Sequence, residues 1–108
     1  MKRVAVLCRG KSLNYLSSLP DIDEYVIVNN WAVELNQQFI IDRFSDNKPI
    51  THVLGLAAAT HKHTTDFNVM KEHYKNFNIN KIVLPYLADG VDLNSLNVAS
   101  LSFFAIFP

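Results

Sequence analysis

Short runs of apolar, mostly β-branched residues alternate along this chain with longer stretches whose apolar residues recur at helical spacing. The runs comprise residues Val4–Leu7, Tyr25–Val28, Ile50–Leu54 and Ile82–Leu84. The first run is β-branched and lacks polar alternation, which is typical of a strand buried on both faces of a parallel sheet. The helical stretches between the runs would form right-handed crossover connections between parallel strands, and these helices would cover the sheet. The sequence therefore predicts an α/β fold, a Rossmann-like three-layer α/β/α domain with a mostly parallel sheet of four to five strands.

Two helices are predicted in the first half of the chain. Ser12 is a candidate N-cap for a short helix that Pro20 ends. From Trp31 the spacing of apolar residues predicts an amphipathic helix of about four turns that ends near Ser45. The small residues of Gly55–Ala59, after the third run, fit either a loop or a closely packed turn.

The second half predicts one further helix and leaves the last element open. Thr64 or Thr65 is expected to cap a helix through Phe77, and the residues "NINK" separate it from the fourth strand. After Asp92 the spacing fits a last helix, and a strand over Leu101–Phe107 is the alternative. The chain ends on the apolar segment "SFFAIFP", where termini are usually polar. We therefore expect either the N-terminal part of a longer protein or a homo-oligomer that buries this segment.

Composition limits the size of the core and the class of partner. The chain has 108 residues, 49% of them hydrophobic, which predicts one core and a single domain over residues 1–108. Ten Lys and Arg balance ten Asp and Glu, so no net field attracts nucleic acid or anionic lipid. No apolar run approaches the ~20 residues that cross a bilayer. A single cysteine, without a recognisable secretory signal, predicts a cytoplasmic protein.

The first candidate site is the loop that follows the first run. Gly10 permits a tight turn with positive φ, and the following main-chain N–H groups would point outward at a helix N-terminus. Arg9 and Lys11 add cationic donors, and Ser12 adds a hydroxyl. These groups suit a phosphate. A glycine in a short strand–helix turn is also required by geometry alone, so a purely structural turn is the alternative.

The second candidate site is the pair Asn29 and Asn30, at the end of the second run. Their carboxamides can donate to and accept from a ribose hydroxyl or the edge of a base. In parallel sheets, ligands bind beyond the carboxyl ends of the strands, near the point where the strand order reverses. We therefore expect a nucleotide to bridge the two loops. The alternative is a turn in which one Asn caps the helix that starts at Trp31.

The sequence excludes one phosphate-binding motif and one motif with a nucleophilic cysteine. The residues "GKS" are not a Walker loop, since Ala5 stands where that motif needs its first glycine. Cys8 does not begin a cysteine-phosphatase loop, since Asn14 stands where the arginine is needed. Cys8 is therefore interpreted as a small packing residue.

The histidines give a weak metal signal. His61 and His63 form a His-x-His pair, with His52 and His73 elsewhere in the chain. No cysteine accompanies them and the only nearby carboxylate is that of Asp66. Surface or turn histidines are the favoured interpretation, and no metal is predicted.

The segment "VAVLCRGKSLNYLSSLPDIDEYVIVNNW" resembles the N-terminal nucleotide-binding segment of sialyltransferase-like glycosyltransferases. In that family a buried strand runs into a Gly-Asn-Gly-Pro-Ser-Leu loop, followed by a short helix and a second strand that ends in Asn. Gly10, Ser12 and Leu13 stand at the matching loop positions. Asn29 or Asn30 stands at the position of the strand-end Asn, which in the family contacts the CMP part of the donor.

The resemblance covers the first 31 residues and departs from the family in the loop. Cys8 and Arg9 replace the family's first Gly and its Asn, and Lys11 replaces its Pro, so this loop is more cationic. The resemblance implies a CMP-sugar or another nucleotide-sugar as ligand, with no resident cofactor. It places the general base in later sequence, so no catalytic residue is assigned and no turnover is expected from this chain alone.

Two functional hypotheses follow. The first is a nucleotide-sugar-binding domain of a glycosyltransferase, with Arg9, Gly10, Lys11 and Ser12 on the phosphate and the Asn pair on the ribose or base. The second is a small α/β interaction domain that self-associates through its hydrophobic C-terminus and has no catalytic role. In the second hypothesis the glycine and the Asn pair serve only as turn residues.

Overall fold

Five strands form a single parallel sheet in the computed structural model, which describes residues 2–54, 64–84 and 100–103. The strands are β1 (Val4–Leu7), β2 (Glu24–Val28), β3 (Ile50–Val53), β4 (Ile79–Leu84) and β5 (Ser100–Phe103). Each strand pairs in parallel with the next one along the chain. The predicted α/β fold with a parallel sheet of four to five strands is confirmed.

The order across the sheet is β1-β2-β3-β4-β5, so it does not reverse among the described strands. The expected site at a reversal point therefore has no counterpart in this part of the chain. Because all five strands are parallel, their carboxyl ends still meet at one edge of the sheet. The loops after β1 and β2 are neighbours at that edge, since Leu7 pairs with Ile27.

A 3-10 helix, Lys11–Ser18, follows β1. The predicted cap at Ser12 is wrong: Gly10 occupies the N-cap position, and no side chain caps the helix. The tight turn explains this, because a glycine in an extended, positive-φ conformation starts the helix two residues earlier. The helix ends at Ser18, ahead of Pro20, as predicted.

The long helix predicted from Trp31 is interrupted. A 3-10 helix, Glu34–Asn36, is followed by α1, Gln38–Phe44. Between them Gln37 is extended, with φ −91° and ψ 135°, which breaks the ladder of main-chain hydrogen bonds. The predicted end near Ser45 is confirmed, since Ser45 is the C-cap of α1. Hydrophobic spacing alone does not detect a single extended residue.

The second half agrees with the predicted helix but not with the predicted boundary of the fourth strand. Helix α2, Thr64–His73, continues into a 3-10 turn, Tyr74–Asn76. β4 begins at Ile79, inside the "NINK" segment, because Ile79 pairs with Ile50 of β3. An irregularity in the β3–β4 register then absorbs one residue.

β5 decides between the two alternatives for the last element over the residues described there. Ser100–Phe103 is a strand that pairs with β4, so the strand alternative is correct at residues 101–103. The helix predicted after Asp92 and the terminal "SFFAIFP" beyond residue 103 lie outside the described residues, as does the Gly55–Ala59 segment.

The core lies on one face of the sheet. Alternate strand residues, among them Tyr25, Ile27 and Ile50, are fully buried. The described helices supply the opposing side chains of the same cluster, which are Leu13, Leu16, Leu35, Ile40, Phe44, Met70 and Tyr74. A second helical layer, expected for a three-layer domain, is not among the described residues and stays a prediction.

The other face of the sheet is less covered at its edge. Val4 and Val6 of β1 are 48% and 63% exposed, so the prediction that this strand is buried on both faces is wrong. β1 is an edge strand, and only its alternate residues, such as Leu7, reach the core. No helix in the described part of the chain combines the length and apolar character needed to cross a membrane.

Candidate functional site

The loop after β1 turns at a glycine with positive φ and leads directly into a helix, as predicted. Gly10 has φ 132° and ψ −174°, a conformation that residues with a Cβ rarely adopt. The first bond of the following 3-10 helix runs from Leu13 N–H to the Gly10 carbonyl, at 3.1 Å. The N–H groups of Lys11 and Ser12 precede this bond and therefore have no acceptor within the helix. An ideal Cβ on Gly10 would meet nothing within 4 Å, so the space beside the loop is open.

The predicted cations flank this loop and are exposed. The Arg9 guanidinium pairs with a carboxylate: Arg9 Nη1 lies 3.7 Å from Glu34 Oε1. This separation exceeds hydrogen-bond distance, and half of the Arg9 side chain, 51%, remains exposed. Arg9 is therefore attracted to Glu34 without being fixed by it. Lys11 and Ser12 are exposed beside it.

Glu34 is a residue that the sequence interpretation missed. It is only 8% exposed, and its Oε2 atom is buried without a hydrogen-bond partner. A signal was present in the sequence, since Glu34 lies three positions after Trp31 and directly before Leu35, both core residues. A carboxylate on an apolar stripe is an informative exception to the usual burial pattern. It sits at the edge of the sheet where the two predicted loops meet, against Arg9.

Asn29 turns the chain at the end of β2. Its φ of 67° is left-handed, a region that Asn tolerates better than most residues. Asn29 N–H donates to the Val53 carbonyl at 2.7 Å, which extends the sheet pairing by one bond. The left-handed turn ends the ladder at this residue. The predicted strand-ending role of Asn29 is confirmed.

Asn30 makes the capping contact that the sequence left open. Its Oδ1 atom accepts from Ala32 N–H at 3.0 Å, a local bond typical of an Asx turn. This bond supports the turn into the Trp31 segment, whose N–H lies 3.2 Å from Met70 Sδ. With one side-chain oxygen engaged in the turn, Asn30 is the more structural member of the pair, and Asn29 is the stronger candidate for a ligand contact.

A buried histidine, His52, forms a hydrogen bond with the main chain of Asn29 from the core side of the turn. His52 of β3 has no exposed surface, and its Nε2 atom lies 2.6 Å from the Asn29 carbonyl oxygen. That oxygen can only accept, so Nε2 carries the proton and Nδ1 is the acceptor for the Tyr74 hydroxyl, 2.5 Å away. Burial lowers the pKa of His52 to about 4, although the bond to Asn29 opposes this. The ring is therefore neutral at neutral pH.

This histidine is not the surface or turn residue expected from the sequence. Both ring nitrogens of His52 are engaged within the fold, which leaves neither for a metal. The His61 and His63 pair lies outside the described residues. Among the residues that the structure does describe, no group of three or more His, Cys, Asp or Glu is arranged to hold a metal ion.

Cys8 is exposed, so its interpretation as a packing residue is wrong. It lines a shallow cavity of about 160 Å³ together with Ser12, Tyr15 and apolar residues of β1 and the first 3-10 helix. Leu7, the last residue of β1, faces the core, and because side chains alternate along a strand the next residue, Cys8, points away from it. The thiol therefore lies on the surface beside the candidate loop.

The two larger cavities of the described structure lie away from this edge. One, of about 480 Å³, is bounded by residues of the first 3-10 helix and of α1, among them Asn14 and Phe39. The other, of about 670 Å³, lies beside Asp21, Asp23 and Asp46. Neither is lined by a predicted site residue, whereas the smaller cavity beside Cys8 is lined by Ser12.

No protein-family model, curated protein or solved structure matches the chain. The resemblance to sialyltransferase-like glycosyltransferases therefore rests on the quoted sequence segment alone and stays a prediction.

Proposed function

We propose that this chain binds a nucleotide-sugar as the donor-binding domain of a glycosyltransferase of the sialyltransferase-like kind. The phosphate would lie against Gly10 and the N–H groups of Lys11 and Ser12, with Arg9 as a cationic donor. Asn29 would contact the ribose or base. One observation carries the proposal: Gly10 has a positive φ and open space at its Cβ position, and it starts a helix whose first N–H groups have no acceptor within the helix, between the exposed cations Arg9 and Lys11.

The electrostatics of the edge favour a local anion site in a chain without net charge. Arg9 and Lys11 are exposed and follow each other across Gly10. The only carboxylate paired with Arg9 in the described structure is that of Glu34, at 3.7 Å, which is too far for a hydrogen bond. A phosphate oxygen in hydrogen-bond contact would therefore interact with the guanidinium more strongly than Glu34 does.

Donor binding is the part of the reaction to which the described residues are suited. No described residue is assigned as a general base, and His52 is excluded from that role because it is buried and neutral. We expect the chain to bind the donor nucleotide without transferring its sugar.

Isothermal titration of the purified chain with CMP, UMP and a CMP-linked sugar tests the proposal. We expect a dissociation constant of about 1 mM or tighter, and Arg9→Ala or Lys11→Ala to weaken binding about threefold to tenfold through loss of a charge-assisted bond. Asn29→Gly keeps the left-handed turn and removes only the carboxamide, so it tests the ribose or base contact. Lys75→Ala is the matched control, since its exposed ammonium pairs with Glu72 on the surface.

Absence of binding at millimolar nucleotide, with all variants indistinguishable from the natural chain, would remove the proposal. Binding that Lys75→Ala weakens as much as Arg9→Ala does would point to non-specific attraction of anions to surface cations.

A different observation supports self-association as the second candidate function. β1 is an edge strand, and its Val4 and Val6 side chains are 48% and 63% exposed. An apolar edge strand is a template for pairing with a second copy of the same chain. Light scattering of the natural chain and of Val6→Lys tests it. A dimer that the lysine dissociates supports self-association through β1, and a monomer at all concentrations excludes it.

We also propose the cytoplasm as the location of the chain. The support is chemical: the single cysteine, Cys8, is exposed and unpaired. An exposed thiol remains reduced in the cytosol and is oxidised or crosslinked in secretory compartments. Detection of Cys8 as a free thiol in protein extracted from cells supports the proposal, and its recovery as a mixed disulfide contradicts it.

A further inference from the structure

Strand β1 carries main-chain groups that point away from the rest of the sheet. Among the described strands it pairs only with β2, on one side. Glu24 N–H donates to the Arg3 carbonyl at 3.2 Å, and the direction of main-chain groups alternates along a strand. The odd-numbered residues of this strand therefore bond toward β2. The N–H and C=O groups of Val4 and Val6 point to the open side.

The exposed apolar side chains of β1 belong to the same two residues. Val4 and Val6 are 48% and 63% exposed. Val6 and the exposed Tyr15 of the first 3-10 helix also line the cavity of about 160 Å³ beside this edge. Native edge strands are commonly blocked by a charged residue or a proline, and Val4–Leu7 contains neither. The edge is therefore able to pair with another strand.

A second copy of the chain fits this edge by symmetry. Identical strands that pair about a two-fold axis are antiparallel, and residues directly opposite each other then share one face of the sheet. With the axis at Ala5, Val4 lies opposite the partner's Val6, and Val6 lies opposite the partner's Val4. The outward main-chain groups of these valines then face each other, so each valine pair exchanges two main-chain hydrogen bonds.

The neighbouring registers that keep the faces matched are poorer. An axis at Val6 places Arg3 directly opposite the partner's Arg9, and like charges in that position are destabilising. An axis at the first valine places Val6 opposite the partner's Lys2, which precedes the strand. Only the axis at Ala5 pairs both outward-pointing residues within the strand.

We propose that two copies of the chain pair through β1 in antiparallel direction, about a two-fold axis at Ala5, and so join their sheets into one. The inference rests on the self-association proposed above as the second candidate function, and it names the geometry. Copies with zero formal net charge have no long-range repulsion. The paired edge, four residues at about 3.3 Å each, buries less than the ~800 Å² per partner of a standard interface, so the dimer is weak.

Cysteine crosslinking at three adjacent positions tests the register. Cys8→Ser removes the natural thiol, and Val4→Cys, Ala5→Cys and Val6→Cys are each made in that background. A residue on the axis faces its own copy at a Cα separation of about 4.5 Å, within disulfide range, whereas its neighbours along the strand do not. We expect Ala5→Cys to form the disulfide-linked dimer about tenfold faster than the other two under mild oxidation.

Exposure alone predicts the reverse order, which makes the comparison decisive. Ala5 is half-buried, whereas Val4 and Val6 are exposed. Tyr15→Cys in the same background is the control for random collision, since this side chain is 72% exposed. Circular dichroism establishes that each variant is folded. If Ala5→Cys does not fold, the double variant Val4→Cys with Val6→Cys replaces it, and should crosslink about tenfold faster than either single variant.

Sedimentation equilibrium of Cys8→Ser, up to about 1 mM chain, measures self-association without any crosslink. A monomer at every concentration removes both the self-association and this inference, and leaves the edge to a strand of another protein. A dimer in which Val4→Cys or Val6→Cys crosslinks faster than Ala5→Cys overturns the register and leaves self-association standing. A dimer in which no variant on β1 crosslinks faster than Tyr15→Cys overturns pairing through this strand.

Discussion

The main-chain oxygen of Asn29 accepts a hydrogen bond from the ring of His52, with 2.6 Å between the two atoms. Asn29 lies at the exposed end of β2, whereas His52 is fully buried in β3 and is itself held by the Tyr74 hydroxyl. The left-handed turn at Asn29 is thus fixed from the core. A residue at the candidate ligand edge is positioned by a neutral histidine, which links the conformation of the edge to the protonation of the core.

The first prediction concerns stability against acid. The pKa of His52 is about 4 in the folded chain and about 6.5 when unfolded, because burial disfavours the charged ring. A lowered pKa means that the unfolded chain binds the proton more readily. The contribution of His52 is therefore complete above pH ~6.5 and is lost as the pH falls to ~4, by about 3 kcal/mol in all. Urea unfolding at pH 7, 5.5 and 4 measures this loss.

His52→Gln serves as the variant for this measurement, since glutamine does not titrate. Its free energy of unfolding should fall less steeply between pH 7 and pH 4 than that of the natural chain. His73→Gln, on the last turn of α2, is the control and should follow the natural profile. Identical slopes for the natural chain and His52→Gln would contradict the assignment.

The second prediction concerns the other hydrogen bond of His52, which its Nδ1 atom accepts from the Tyr74 hydroxyl. Tyr74→Phe removes the hydroxyl that donates to His52 Nδ1 and leaves that nitrogen buried without a donor. The unpaired group should lower the free energy of unfolding by about 1–3 kcal/mol. Tyr15→Phe removes a hydroxyl from a side chain that is 72% exposed, and should change stability by less than about 0.5 kcal/mol. Equal thermal unfolding midpoints for Tyr74→Phe and Tyr15→Phe would show that the bond between Tyr74 and His52 does not stabilise the fold.

The third prediction concerns Arg43, which ties α1 to the segment before β2. Its Nε donates to the Tyr25 hydroxyl at 2.8 Å, and Nη2 donates to the Pro20 carbonyl at 2.8 Å. Tyr25 in turn donates to Asp46 Oδ2 at 2.7 Å. Burial, followed by the bond to Asp46, raises the pKa of Tyr25, so its hydroxyl remains protonated to donate. Three hydrogen bonds thus run in series from Asp46 through Tyr25 and Arg43 to the Pro20 carbonyl.

Arg43→Ala should lower the free energy of unfolding by about 2 kcal/mol, since the Tyr25 oxygen and the Pro20 carbonyl both lose a donor. Arg43→Lys should recover only part of this, because an ammonium cannot reproduce the planar fork of the guanidinium. Lys48→Ala, at an exposed position nearby, is the control. Urea midpoints rank the variants, and a lysine variant as stable as the natural chain would argue against the fork geometry.

The strand boundaries were predicted well from the sequence where a run of strand-forming residues coincides with the observed strand. β1 has the predicted bounds, and β2 and β3 differ from theirs by one residue, since β-branched residues favour the extended backbone of a strand. Spacing did not predict the break at Gln37, because one extended residue between two helices leaves the apolar stripe largely unchanged. Spacing also did not predict that β4 starts at Ile79, because the polar residues Asn80 and Lys81 separate Ile79 from the apolar run that follows.

The candidate site was predictable only where conformation depends on residue type. The positive φ of Gly10 and the strand-ending turn at Asn29 were both predicted from residue type and position, whereas the positive φ of Asn29 was not. Glu34 and His52 were not predicted, because their roles come from tertiary burial and from partners distant in the chain. Polar residues that the fold buries carry information that local patterns do not contain.

The last prediction separates the conformation of Gly10 from the space around it. At φ 132° an alanine is strained, although its Cβ would meet nothing within 4 Å. Gly10→Ala should therefore lower the free energy of unfolding by about 1–2 kcal/mol through the main chain alone, or turn the loop away and weaken nucleotide binding. Ser12→Ala, inside the same 3-10 helix and without a capping bond, should change stability by less than about 0.5 kcal/mol. Urea unfolding of both variants measures the change in stability, and CMP titration measures the change in binding. If Gly10→Ala matched the natural chain in stability and in CMP affinity, the positive-φ turn would matter to neither.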